Sequence, residues 1–105
     1  MNMERILIVD DDITFGLMLK TWLSKKGFGT QTAASAAAAR TALAEGGFSL
    51  VLSAMRLPDE DGIALLQWMS GQRIEVPVIA MTSYAEIQNA ARCMKLLARV
   101  YTAKP

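Results

Sequence analysis

Short apolar runs recur along this chain, each separated from the next by a helix-length amphipathic segment, and that alternation limits the fold more than any other feature. Ile6-Leu7-Ile8-Val9 is a compact β-branched run of the kind buried on both faces of a sheet. Three aspartates end it. Phe15, Met18, Leu19, Trp22 and Leu23 then recur at helical spacing, and Gly27 supplies a stop. Phe28–Ala33 reads as a weaker strand. Ser35 suits the N-cap of an alanine-rich helix, Ala36–Glu45, that ends at Gly46-Gly47. Phe48–Ser53 reads as a third strand, with Leu50-Val51-Leu52 as its buried part. Arg56–Gly62 is polar and turn-rich around Pro58, and Ile63–Met69 forms a short helix stopping near Gly71. Val76–Met81 is a fourth strand with its proline near the start, where a missing N–H is tolerated. Ala85–Leu97 is helical in composition, and Arg99–Ala103 is a short last strand before Lys104-Pro105.

Strands alternating with helices in this way imply a parallel sheet with right-handed crossovers. A chain of 105 residues holds one such domain. Hydrophobic residues at 52% and charged residues at 20% suit a packed globule. A net charge of +1 with no cluster of Lys and Arg gives no face for direct nucleic-acid binding. No apolar run approaches the roughly 20 residues that span a bilayer, so no membrane contact is expected. The absence of histidine excludes histidine-based zinc sites and histidine catalysis. A lone cysteine, Cys93, forms no internal disulfide and fits a reducing cytoplasm; mid-helix, it reads as a packing residue.

In an open parallel sheet, ligands bind beyond the carboxyl ends of the strands. Those ends carry Asp10, Asp11 and Asp12 on the first strand, and Ser53, Ala54, Met55 and Arg56 on the third. They carry Thr82 and Ser83 on the fourth, and Lys104 on the fifth. Carboxylates suit a hard cation such as Mg²⁺, and a lysine with a hydroxyl suits phosphoryl oxygens. The set describes a metal-assisted phosphoryl site that lacks a nucleophile. Asp12 reads as a helix N-cap rather than a ligand, and Asp59, Glu60 and Asp61 read as a solvated turn. Trp22 falls on the first helix's apolar stripe and is expected to pack on the sheet.

Four stretches in order resemble the receiver domains of bacterial two-component response regulators. They are Ile-Leu-Ile-Val-Asp-Asp-Asp at 6–12, Leu-Val-Leu-Ser-Ala-Met-Arg-Leu-Pro-Asp-Glu-Asp-Gly at 50–62, Val-Pro-Val-Ile-Ala-Met-Thr-Ser at 76–83 and Tyr-Thr-Ala-Lys-Pro at 101–105. The resemblance covers the whole chain. It implies a flavodoxin-like, three-layer α/β/α fold with a five-stranded parallel sheet of order 2-1-3-4-5. It makes residues 1–105 one receiver domain, truncated after the fifth strand where the family continues into a fifth helix.

Carried over residue by residue, the resemblance makes Asp10 and Asp11 the Mg²⁺ pair, with the backbone carbonyl of Arg56 as a further ligand. Thr82 and Lys104 become the phosphoryl-binding hydroxyl and lysine, and Tyr101 the aromatic switch beside Thr82. The family's phosphoaccepting aspartate stands four residues before the loop proline, and here that position is Ala54. Alanine has no oxygen to accept a phosphoryl group or bind a metal. Leu97 stands where a glycine is common and Val100 where a polar residue is common.

The implied function is a signalling receiver, not an enzyme, from a transcriptional regulator and unable to be phosphorylated. Its implied partners are a sensor histidine kinase and an output domain or protein reached through the helix 4–strand 5 face. Apolar surface left open by the absent fifth helix is expected to be covered by self-association into a homodimer or by a rearranged C-terminal segment. Two other classes fit the residues. One is a phosphorylation-independent interaction module. The other is a small Mg²⁺-dependent phosphohydrolase, against which stand the lack of a cap domain and of a nucleophile.

Overall fold

The structure is a computed structural model that describes residues 4–82 and 100–103. In chain order the elements are β1 (Arg5–Val9), α1 (Ile13–Lys25), β2 (Gly29–Ala33), α2 (Ala36–Glu45), β3 (Leu50–Ala54), α3 (Gly62–Gly71), β4 (Val78–Thr82) and β5 (Val100–Ala103). The five strands form one sheet in the order β2-β1-β3-β4-β5. Every neighbouring pair is parallel. The expected order and the flavodoxin-like class are both observed. The expected helix Ala85–Leu97, with Cys93 and Leu97, lies outside the described residues, as do Lys104 and Pro105.

Alternation along β1 explains why its run is apolar throughout. Successive side chains point to opposite faces of a strand. Leu7 and Val9 join Val51, Ala80 and the inward residues of α2 and α3 in the larger core, which includes Ala39, Leu43, Leu65 and Met69. Ile6 and Ile8 face the other way and pack with Leu23 of α1, flanked by Leu19, Phe28, Leu50 and Leu52. The sheet is thus sandwiched, with α1 on one face and α2 and α3 on the other. The alanines of α2 serve this packing, since Ala36 and Ala39 are fully buried and Ala42 nearly so.

Local signals set the helix ends. Asp12 accepts the N–H of Phe15 at 3.0 Å, and Ser35 that of Ala38 at 3.1 Å, so both act as N-caps as the sequence suggests. Gly46 closes α2 with φ at +79°, where an L side chain is strained. The fourth strand begins at Val78, two residues later than its apolar run. Pro77 donates no hydrogen bond, and only its carbonyl joins the sheet, accepting from Val51 N–H at 2.9 Å. At one edge lies β2, Gly-Thr-Gln-Thr-Ala, a polar strand whose Gln31 accepts a hydrogen bond from Arg5 at 2.9 Å.

One packing expectation is corrected. Trp22 does not lie on the sheet and is 57% exposed. The apolar positions of α1 are too widely spread for one contact line. Leu19 and Leu23, four residues apart, take the sheet side, while Met18 and Trp22 come 100° round the helix and face outward.

Candidate functional site at the carboxyl edge of the sheet

Strand register brings the site residues together. Val9 pairs with Ser53, so Asp10 and Ala54 follow at the same level. Ala54 pairs with Met81, so Thr82 comes one step further along the edge. Thr82 in turn pairs with Ala103, the last described residue before Lys104. Backbones of Asp10, Ala54 and Thr82 therefore share one edge, as the sequence implies. The side chains of Thr82 and Tyr101 lie outside what is described. The Tyr101 backbone pairs with Ala80.

The three aspartates divide their work. Asp10 is buried, with its backbone N–H tied to Ala33 O at 3.0 Å and its carboxylate accepting Asp12 N–H at 2.9 Å. Asp11 is exposed, and Asp12 caps α1. A small cavity of about 70 Å³ opens beside Asp10, lined also by Ile13, Gly16, Thr32 and Ala33.

Ala54 is the last residue of β3 and is 3% exposed. The neighbouring hydroxyl does not take its place. Ser53 is buried, and its Oγ donates to the Ala54 carbonyl at 3.0 Å. Among the described residues, no group of three or more acidic, cysteine or histidine side chains could hold a metal ion. Two carboxylates remain, one buried and one exposed. Mg²⁺ keeps several waters and is often held by one or two carboxylates. Asp10 and Asp11 therefore fit a largely hydrated Mg²⁺, with fewer protein oxygens than an aspartate at 54 would give.

The loop after β3 is a solvated turn as expected, with Asp59 and Asp61 exposed, but its three acidic residues also make specific bonds to α2 and α3. Asp59 accepts the N–H groups of Ala36 and Ala37, both at 2.9 Å, and so closes the N-terminus of α2 from a distant part of the chain. Those bonds, Ala36 first, hold its carboxyl below the ordinary value of 3.8. Glu60 forms an ion pair with Arg40 of α2, and the Arg40 guanidinium sits 5.7 Å from the Trp68 ring centre. Asp61 caps α3 by accepting Ala64 N–H at 2.9 Å.

Arg56 forms an isolated antiparallel bridge with Asp61, and Gly62 N–H donates to Met55 O at 2.7 Å. Only glycine fits at 62, because a Cβ there would lie 2.6 Å from the Ala54 carbonyl oxygen and 3.0 Å from Met55 Cα. Sequence reasoning missed Asp59 and Glu60 as structural groups. The only available signal was a basic residue on α2, Arg40, opposite an acidic loop.

Comparison with known proteins agrees with this geometry. The family model for the response regulator receiver domain matches residues 6–105. The chain is 37% identical over 102 residues to the regulatory protein AtoC of Escherichia coli, covering 97% of this chain and 22% of that protein. It is 37% identical over 106 residues to the transcriptional regulatory protein GltR of Pseudomonas aeruginosa, covering 99% of this chain and 44% of that one. The chain thus spans less than half the length of these two curated relatives. Among solved structures, it resembles a CheY-like receiver domain protein from Methanospirillum hungatei with a TM-score of 0.90 and 32% identity, covering 99% of this chain and 83% of that one. With its strand order and the acidic end of its first strand, the chain belongs to the response regulator receiver domain family.

Proposed function

We propose that this chain is the receiver of a two-component transcriptional regulator and that it does not accept a phosphoryl group. The observation that carries this reading is Ala54, buried at the end of the central strand β3, at the level of Asp10. In the family an aspartate at this place attacks the phosphoryl donor. A methyl group has no lone pair for that attack, and Ser53 is turned away and engaged. Receiver domains act in general as signalling modules that meet sensor kinases and output domains. For this chain the partners are a sensor histidine kinase and the output part of a longer cytoplasmic regulator, reached through the helix 4–strand 5 face.

Asp10, Asp11 and the Arg56 carbonyl would hold Mg²⁺, whose charge would offset phosphoryl oxygens in an acceptor-bearing form. Thr82 and Lys104 would bind those oxygens, and Tyr101 would report the occupied site. Intact-mass measurement with Mg²⁺ and acetyl phosphate tests the reading. No adduct is expected on this chain, and a labile one on Ala54→Asp. An adduct on the alanine form would overturn it.

A second reading is a phosphorylation-independent interaction module. What favours it is the loop after β3, which Asp59, Glu60 and Asp61 anchor to α2 and α3 through this chain's own groups. Partner affinity that is the same for this chain and for phosphorylated Ala54→Asp would select this second reading.

A further inference from the structure

The metal ligands proposed above come from parts of the chain with different freedom. Asp10 follows β1 directly, and the pairing of Val9 with Ser53 fixes its level on the sheet edge. Arg56 stands two residues beyond β3, in the loop that runs to α3. At the base of that loop Arg56 bridges to Asp61, and Gly62 N–H donates to Met55 O at 2.7 Å. Bonds at a base set how the two ends of a loop meet, but a surface loop held only there can still tilt as a unit. Its tip has to be held as well if the Arg56 carbonyl is to keep one direction.

Asp59 holds the tip. Its two carboxylate oxygens accept Ala36 N–H and Ala37 N–H, both at 2.9 Å, and Glu60 adds an ion pair to Arg40 further along α2. The helix they grip is itself anchored, because Ala36 and Ala39 are fully buried. Just before it, Asp10 N–H donates to Ala33 O at 3.0 Å. The bonds therefore form a closed circuit. It runs from Asp10 to Ala33, through the β2–α2 junction to Ala36 and Ala37, across to Asp59, and back along the loop to Arg56. Two ligands of one cation are thus tied to the same short junction, one from each side. Mg²⁺ demands near-octahedral oxygen geometry, so groups that orient a ligand contribute to affinity without touching the metal.

We propose that Asp59 is a positioning residue of the Mg²⁺ site, setting the Arg56 carbonyl relative to Asp10 through the β2–α2 junction. This rests on the reading of Asp10, Asp11 and the Arg56 carbonyl as that site.

Mg²⁺ titrations of the full chain, followed by amide chemical shifts, test it, with each variant checked for folding by circular dichroism. Asp59→Ala is expected to raise the Mg²⁺ dissociation constant on the order of tenfold. Asp59→Asn loses the same charge, but its amide oxygen can still accept one of the two N–H groups. It should fall between Asp59→Ala and the unaltered chain. Ser35→Ala removes the other cap of α2, the bond from Ala38 N–H, without touching the loop, and should leave the affinity unchanged. Equal losses in Asp59→Ala and Asp59→Asn would overturn the proposal by making the effect one of charge alone. A matching loss in Ser35→Ala would overturn it by making the effect one of helix stability. Affinity lowered by Asp11→Asn but unmoved by Asp59→Ala would overturn it and leave the metal site standing. Affinity indifferent to Asp11→Asn would remove the metal site and the proposal with it.

Discussion

Asp59 accepts the backbone N–H of Ala36 at 2.9 Å across a separation of 23 residues, so the first turn of α2 is closed by a carboxylate from the loop that follows β3. Ala37 donates to the other oxygen of the same group. The loop and the helix are joined by hydrogen bonds that need both charge and position.

The sign of the pH effect follows from those bonds. The folded state holds the Asp59 carboxyl below 3.8, chiefly through Ala36 N–H and then Ala37 N–H. Its contribution to stability is full above that unfolded value and is lost as pH falls through the lower folded value. Asp59→Asn should lower the melting temperature at neutral pH. The gap between the two proteins should shrink as pH drops below about 3.8. Thermal melts by circular dichroism at a series of pH values would check this, and a gap that widens in acid would count against the cap.

Two glycines that look alike in sequence should respond oppositely to alanine. At Gly62 the new Cβ would meet the Ala54 carbonyl oxygen at 2.6 Å, and backbone must move. Gly62→Ala is expected to cost roughly 1–3 kcal/mol, the usual range for forced overpacking. Urea unfolding monitored by Trp68 fluorescence reads this as a lower midpoint.

Gly16 sits inside α1, and a Cβ there would find only Thr32 Cγ2 at 4.0 Å, an ordinary contact at the mouth of the small cavity. Gly16→Ala should stabilise the chain by about 0.5–1 kcal/mol, because glycine loses more freedom than alanine on entering a helix. A fall in the urea midpoint would show that the backbone at 16 needs glycine for another reason.

Restoring an aspartate at 54 should couple stability to metal. The position is buried beside Asp10, so a carboxylate there adds like charge in a poorly solvated place. In EDTA, Ala54→Asp is expected to cost on the order of 1–3 kcal/mol. With Mg²⁺ its melting temperature should rise more steeply than that of the unaltered chain, since a third carboxylate strengthens binding to the folded state alone. Equal Mg²⁺ responses in the two proteins would refute a shared metal site at Asp10 and position 54.

Much of the architecture was legible because it rests on local signals. The run Ile6–Val9 reads as a doubly buried strand, and its two core faces are those that alternation requires. Asp12 and Ser35 cap their helices through neighbours three residues on, a spacing visible in the chain itself. The edge carrying Asp10, Ala54 and Thr82 followed from strand ends alone.

Contacts between distant segments were not legible. Asp59 and Glu60 look like turn residues until the fold sets α2 beside them. Trp22 looks like core until the helix has to choose which of two apolar lines meets the sheet.

The polar character of β2 has a consequence for how this chain associates. An edge strand offers unpaired backbone groups to any other extended chain, and apolar edges invite strand-on-strand addition and fibrous aggregation. Here that edge carries Thr30, Gln31 and Thr32, with the Arg5 side chain bonded to Gln31. A neighbour adding to it would find little apolar surface to bury, which disfavours runaway stacking through this edge of the sheet.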